Sequence, residues 1–293
     1  MTPKPHKTAL VVEGGGMRSV FAAGVLHAFG KAGFDPFDLY IGTSAGACNL
    51  ASHMAGQNDR NFYVLHHYSA NPRFISMKRF LTGGHLMDLD WLWHKTITEY
   101  RLDLKTIFAD PARQLLVTVT DVATGMPRYL IPTEETLEHY LKASCALPLI
   151  YRDFPEVDNR LVTDGGVTDA VPVQEAARRG ATTIVVIRTR HHGYEKKQSM
   201  VTRLSAALFR KHPALCRAIL NRAAAYQQSV AFMNNPPAGF RILQIAPDST
   251  FQTRRLTRDR AILAADYKKA IHAGNVFVSA WQKQTAGDLH YQG

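Results

Sequence analysis

Two short apolar runs, each ended by glycines and each followed by an apolar repeat of helical period, constrain this chain most. The first, Thr8–Val12, runs into Glu13 and the triplet Gly14-Gly15-Gly16. From Ser19 to Ala32, the residues Val20, Ala23, Gly24, Leu26 and Phe29 recur near the 3.6-residue spacing of a helix. The second run, Phe37–Ile41, closes on Gly42-Thr43-Ser44-Ala45-Gly46, and an apolar helix follows from Ala45 to about Ala55. A β-α-β-α order with such short connections predicts a mostly parallel sheet covered by helices. With 293 residues, 46% apolar and 20% charged, the chain can bury one sizeable core and is not expected to be disordered.

Downstream the pattern continues. Gln114–Asp121 reads as a strand, turned by Ala123-Thr124-Gly125 into a hairpin with Pro127–Ile131. Glu134–Ser144 reads as a helix with Thr133 as its N-cap. Leu161 and Val162 lead into Asp164-Gly165-Gly166, and Val173–Arg179 reads as a helix stopped by Gly180. Thr183–Arg188 and Phe240–Ala246 are further strands, and Arg258–Lys283 is a closing helix. Asn58–Ala70 is read as a helix, and the aromatic-rich stretch from Pro72 to Tyr100 as helices and loops over one end of the sheet. No linker interrupts the chain, so residues 1–293 are read as one domain, with a core at about 8–188 and a basic helical part, 189–293, packed on it.

Three segments carry chemistry. Gly42-Thr43-Ser44-Ala45-Gly46 fits G-x-S-x-G between a strand and a helix. That turn demands a strained serine backbone, small neighbours where the chain crosses, and a helix N-terminus aimed at the hydroxyl. Glu13-Gly14-Gly15-Gly16-Met17-Arg18-Ser19 also joins a strand to a helix. Consecutive glycines let backbone N–H groups converge into an anion-binding concavity, and Arg18 adds positive charge beside it. Dinucleotide binding is disfavoured, because Ser19 stands where G-x-G-x-x-G needs its last glycine and Asp35 and Asp38 come too early; a P-loop is missing its G-K-[ST]. Asp164-Gly165-Gly166 puts a carboxylate between a strand end and a glycine turn, which taken alone is more often simply a turn.

Taken together, Glu13–Ser19, Gly42–Gly46 and Asp164–Gly166, with Lys142–Leu149 (K-A-S-C-A-L-P-L) and the V-T-D-A-V-P that follows Gly166, resemble the patatin-like phospholipase family, over roughly Thr8 to Arg188. The resemblance implies a three-layer α/β/α fold and a lipid acyl hydrolase of phospholipase A, lysophospholipase or esterase type that needs no cofactor and no metal. It also implies Ser44 as nucleophile and Asp164 as general base. The backbone N–H groups of Gly15 and Gly16, with Gly14 shaping the loop and Arg18 in support, would form the oxyanion hole, and Gly42, Gly46, Gly165 and Gly166 would shape the two turns. Glu13 stands where aspartate is common in the family, and Ser19 where glycine is usual.

Other readings remain open at this level. A Ser-His-Asp triad could recruit His191, His192 or His212, although the triad fold carries its serine turn later in the chain; His191 and His192 sit in what reads as a solvated basic loop. A nucleotide- or anion-binding module, or a catalytically silent membrane adaptor, would use the same glycine loop without turnover. Net charge is +11, which favours an anionic partner. Between Arg188 and Arg222 lie many Lys and Arg residues and one acid, Glu195; Leu204, Leu208, Leu215 and Ile219 are spaced for a basic amphipathic helix. Such a helix would suit peripheral contact with an anionic membrane, against the slightly favoured alternative of a core-packed helix with a solvated face. No nucleic-acid motif accompanies the charge, and nucleic acid is not expected as a partner. Cys48, Cys145 and Cys216 are few and scattered, which argues against a disulfide framework; together with the lack of a signal-peptide pattern they favour a cytoplasmic protein.

Overall fold

The computed structural model describes residues 7–197 and 208–290. Strand β1 (Lys7–Val12) passes through the glycine loop and a 3-10 turn, Gly16–Ser19, into helix α1 (Val20–Lys31). Strand β2 (Leu39–Thr43) then enters helix α2 (Ala45–Met54) through Ser44 alone. Next come α3 (Arg60–Tyr63), a π turn over Val64–Ser69, α4 (Met77–Leu81), α5 (Leu89–Glu99) and α6 (Leu104–Ile107). The helix expected over Asn58–Ala70 is therefore one α turn followed by a π turn. Strands β3 (Gln114–Asp121) and β4 (Pro127–Leu130) form the expected hairpin.

Helix α7 (Leu137–Cys145) starts later than expected. Thr136 precedes it, and Thr133 instead donates its N–H to the Thr136 hydroxyl at 2.8 Å, so Thr133 is not the N-cap. Strands β5 (Glu156–Val157) and β6 (Arg160–Asp164) are followed by α8 (Val173–Arg178), β7 (Ala181–Ile187), α9 (Pro213–Asn234), β8 (Arg241–Ile245) and α10 (Arg260–His290). Gly180 ends α8 with a φ of 91°, which glycine adopts without Cβ strain.

The sheet order is β5-β6-β3-β2-β1-β7-β8, with β4 also on β3. From β3 to β8 the strands are parallel, while β4 and β6 run antiparallel to β3. Alternation in β1 shows why both faces are covered. Leu10 and Val12 join Phe21, Val25 and Phe29 of α1 on one side, and Ala9 and Val11 join Val173 of α8 and Tyr226 of α9 on the other. Full burial of a side chain such as Phe29 contributes roughly 1.5–3 kcal/mol. Helix α10 lies on α1 through two glycines: a Cβ on Gly24 would fall 2.5 Å from Ala270 Cβ, and one on Gly274 would fall 2.7 Å from Ala28 Cβ. The mixed α/β architecture, with helices on both faces of a mostly parallel sheet, agrees with the fold class expected from the sequence.

Candidate active site

The register of the sheet brings two distant turns together. Thr43, the last residue of β2, pairs with Thr118 of β3; Asp164, the last residue of β6, pairs with Val119, the next position along the same edge of β3, the other edge being taken by β4. Because β6 runs against β3 while β2 runs with it, both chains end at the same level of β3. The chain leaving Asp164 crosses so close that a Cβ on Gly165 would lie 2.3 Å from the Thr118 carbonyl oxygen. An antiparallel β6 was not foreseen from the sequence, and it is the feature that carries Asp164 to Ser44.

The serine turn is held by close contacts. Ser44 has φ 55° and ψ −131°, a left-handed backbone that an L residue rarely adopts. A Cβ on Gly42 would sit 2.5 Å from Ala47 Cα, and one on Gly46 would sit 2.4 Å from the Val12 carbonyl oxygen. Ser144, on α7, steadies the turn by accepting from Ser44 N–H at 2.7 Å while donating to the Thr118 carbonyl at 2.6 Å. The hydroxyl of Ser44 donates to Asp164 Oδ2 at 2.8 Å. Oδ1 of Asp164 accepts from Gly166 N–H at 2.7 Å, and Arg222 Nε donates to the Gly166 carbonyl at 2.6 Å.

Asp164 is buried, and burial raises its pKa above the ordinary carboxylate range; the hydrogen bond from Ser44 and the charge of Arg222 pull the other way without cancelling it. Among the described residues no histidine lines the cavity that holds Ser44 and Asp164. His191 and His192 are exposed, with His191 Nδ1 against its neighbour's carbonyl, and His212 packs on Phe154. The triad reading therefore loses its third member.

The glycine loop borders the same turn. A Cβ on Gly14 would meet the Thr43 carbonyl oxygen at 2.9 Å and Ser44 Cβ at 3.3 Å. Gly14 N–H donates to the Ala170 carbonyl, whereas among the described residues neither Gly15 N–H nor Gly16 N–H donates to a protein backbone acceptor. Gly16 takes φ 57°. Glu13 accepts from Thr189 N–H at 2.6 Å, which ties the loop to the chain leaving β7. Ser19 is buried, and its carbonyl accepts from Asn49 of α2 at 2.9 Å. Arg18 is buried beside the loop with its Nε unpartnered; burial, then the charges of Arg190 and Arg255, hold it down at about 10.

The lining of the cavity around Ser44 is of two kinds, each forming one arm. One arm is apolar, lined by Leu65, Phe74, Leu89, Leu92, Trp93 and Leu141. The other is cationic and includes Arg190, Lys196, Arg222 and Arg255. The basic stretch therefore does not behave as a solvated face throughout. Arg188 is 1% exposed and donates to Tyr226, and Arg222 turns inward onto Gly166. Leu215 and Ile219 of α9 pack in the core; Leu204, counted toward the amphipathic helix, lies outside the described residues.

Cys48 and Cys145, far apart in the chain, meet at 3.7 Å next to Ser44. The contact with Cys48, and then burial, raise the Cys145 thiol above its ordinary pKa, so it does not compete as a thiolate nucleophile. Sequence reasoning missed Ser144, Arg190, Lys196, Arg222 and Arg255 as site residues. Ser144 did fall inside a recognised block, but nothing local marks which basic residues turn inward. Among the described residues no three His, Cys, Asp or Glu side chains are grouped to hold a metal ion, and no helix is long and apolar enough to cross a membrane.

The patatin-like phospholipase model matches residues 10–177, and a domain of unknown function (DUF6363) matches residues 212–286. The chain is 34% identical over 279 residues to the uncharacterized protein YjjU of Escherichia coli (strain K12), covering 94% of this chain and 78% of that one. The crystal structure of VipD from Legionella pneumophila superposes with a TM-score of 0.43 at 13% identity, covering 93% of this chain and 67% of that chain.

Proposed function

This chain belongs to the patatin-like phospholipase family, and from that premise we propose that it hydrolyses a lipid carboxylic ester through an acyl-serine on Ser44, with Asp164 as the only proton acceptor. A patatin-like domain points to lipid acyl hydrolase activity in general; the serine mechanism and the ester substrate are our reading. The observation that carries it is the 2.8 Å hydrogen bond from Ser44 to a buried Asp164, on a strained turn facing an apolar channel.

In this reading Asp164 takes the Ser44 proton as Oγ attacks the carbonyl carbon. The oxyanion accepts from the free N–H groups of Gly15 and Gly16, each such donor being worth about 3–4 kcal/mol in the transition state. Collapse expels the alcohol as Asp164 returns the proton, leaving the acyl chain on Ser44 in the apolar arm. A water then gives its proton to Asp164 and attacks the acyl-serine, releasing the fatty acid and restoring Ser44. A carboxylate is ordinarily a weak base near ~3.9. The upward shift caused by burial brings Asp164 closer to what proton abstraction needs.

A fluorophosphonate probe and a p-nitrophenyl ester test the reading. Labelling at Ser44 is expected, with turnover reduced on the order of 10³-fold or more in Ser44→Ala and in Asp164→Asn at unchanged fold. Full activity in either variant would remove the assigned roles.

A further inference from the structure

The cationic arm of the cavity has a composition that ester hydrolysis alone does not require. Arg190 and Lys196 come from the chain after β7, Arg222 from α9 and Arg255 from the segment before α10; four basic side chains from three parts of the chain border one space beside Ser44. All four are half-buried. Among the described residues none forms an ion pair with an acid. Their described contacts are with neutral groups: Arg190 lies 4.1 Å from the Tyr194 ring centroid, Lys196 lies 5.1 Å from that of Tyr226, and Arg222 donates to the Gly166 carbonyl. Arg255 lies against the glycine loop, with its carbonyl accepting from Met17 N–H and its Cγ 3.1 Å from where a Gly16 Cβ would stand.

The acids bordering this end are Asp164, engaged by Ser44 and Gly166, and Glu13, engaged by Thr189 N–H. Positive charge is therefore concentrated without matching negative charge. Its electrostatic consequence is visible in Lys196: burial, then the charges of Arg222 and Arg255, push it down to about 6.

We propose that this arm is a headgroup subsite, and that the lipid cleaved at Ser44 carries a phosphate headgroup of net negative charge, a phosphate monoester or a diester without a balancing amine. The proposal rests on the hydrolase reading and narrows its substrate class. An acyl chain in the apolar arm places the ester carbonyl at Ser44 and leaves the headgroup among Arg190, Lys196, Arg222 and Arg255. A net anion there relieves the repulsion among the cations. A phosphocholine headgroup brings its own cation and forfeits most of that gain, and a neutral glyceride gains nothing. Guanidinium groups suit phosphate because they donate in a planar fork.

Short-chain lipids below their micellar concentration separate this subsite from attraction to a charged bilayer. Dihexanoyl phosphatidic acid, dihexanoyl phosphatidylcholine and dihexanoylglycerol share their acyl chains and differ in headgroup charge. The phosphatidic acid is expected to show a kcat/KM at least ~10-fold above the other two, the effect of a single charge-assisted contact. In the double variant Arg190→Gln/Lys196→Gln that ratio is expected to fall by ~10-fold or more. Lys197→Gln, which alters an exposed neighbour on the same loop, is expected to keep it. Equal turnover of the three lipids by the native chain, or an unchanged ratio in the folded double variant, would overturn the subsite. Inorganic phosphate that raises the melting temperature, with no preference among the lipids, would also overturn it and mark the arm as a free-phosphate site. Equilibrium binding of the same lipids to Ser44→Ala isolates the subsite from the chemistry. Preferential binding of phosphatidic acid with no native turnover of any ester would sink the hydrolase reading while supporting the subsite; turnover without preference would do the reverse.

Discussion

At Asp164, function and stability pull in opposite directions. The folded chain raises this carboxyl's pKa by burial, so the neutral form is the one the fold favours. The stability gained from it is present in full below the unfolded-state pKa and is lost as pH rises through the higher folded value. Asp164→Asn keeps a neutral group of the same shape, able to donate to Ser44 and accept from Gly166. It is therefore expected to melt above the native protein, by a margin that widens from acidic to neutral pH, while turnover disappears; parallel melts across pH check both. Native kcat/KM is expected to fall on acidification, with its midpoint above the ordinary carboxylate range. Ser144 is a positioning residue, holding Ser44 N–H and the Thr118 carbonyl at 2.7 and 2.6 Å. Ser144→Ala leaves both buried groups unpaired, at about 1–3 kcal/mol each. Denaturant titration is expected to show that loss, with kcat falling more than KM rises, because the turn is left less firmly held.

Among the elements, the contact between α1 and α10 depends on residues too small to keep the helix backbones apart. Replacing Gly24 by alanine would add up to about 1 kcal/mol of helix propensity. The new methyl would stand 2.5 Å from Ala270 Cβ and 2.7 Å from the Tyr267 carbonyl oxygen. Overpacking of this kind typically costs 1–3 kcal/mol, and the two backbones cannot rotate away as a flexible side chain could. Gly24→Ala is therefore expected to lower the urea midpoint, whereas propensity alone would raise it. The same reasoning gives β3 its place in the site: it is the strand along whose one edge β2 and β6 end head to head, so a register change in either would separate Ser44 from Asp164.

Across the whole molecule, the segment matched by the domain of unknown function is built into the sheet and its cover. Strand β8 pairs with β7, and α10 covers Phe29 and its aromatic neighbours through Phe277 and Trp281. Ending the chain after Asn234 would expose that cluster and one edge of the parallel sheet. Such a truncation is expected to give no cooperative thermal transition and to aggregate; a sharp melt and retained esterase activity would show instead that residues 1–234 fold without β8 and α10. The same assembly turns the net charge of +11 partly inward, since Arg188 and Arg222 of the basic stretch serve buried partners.

What could be read from the chain itself were the local devices: the strand–turn–helix around Ser44, the glycine loop after β1, the D-G-G turn and the mostly parallel sheet. These depend on apolar period, on turn residues and on the absence of side chains at glycine, all expressed within a few neighbouring positions. Only the tertiary structure decided that β6 runs antiparallel, that Ser144 braces the serine turn, that Cys48 meets Cys145, and which arginines and lysines face the cavity. Those are encounters between residues far apart along the chain. They follow from how sheet and helices exclude water together, and that packing leaves no period or spacing in the sequence from which such meetings could be read.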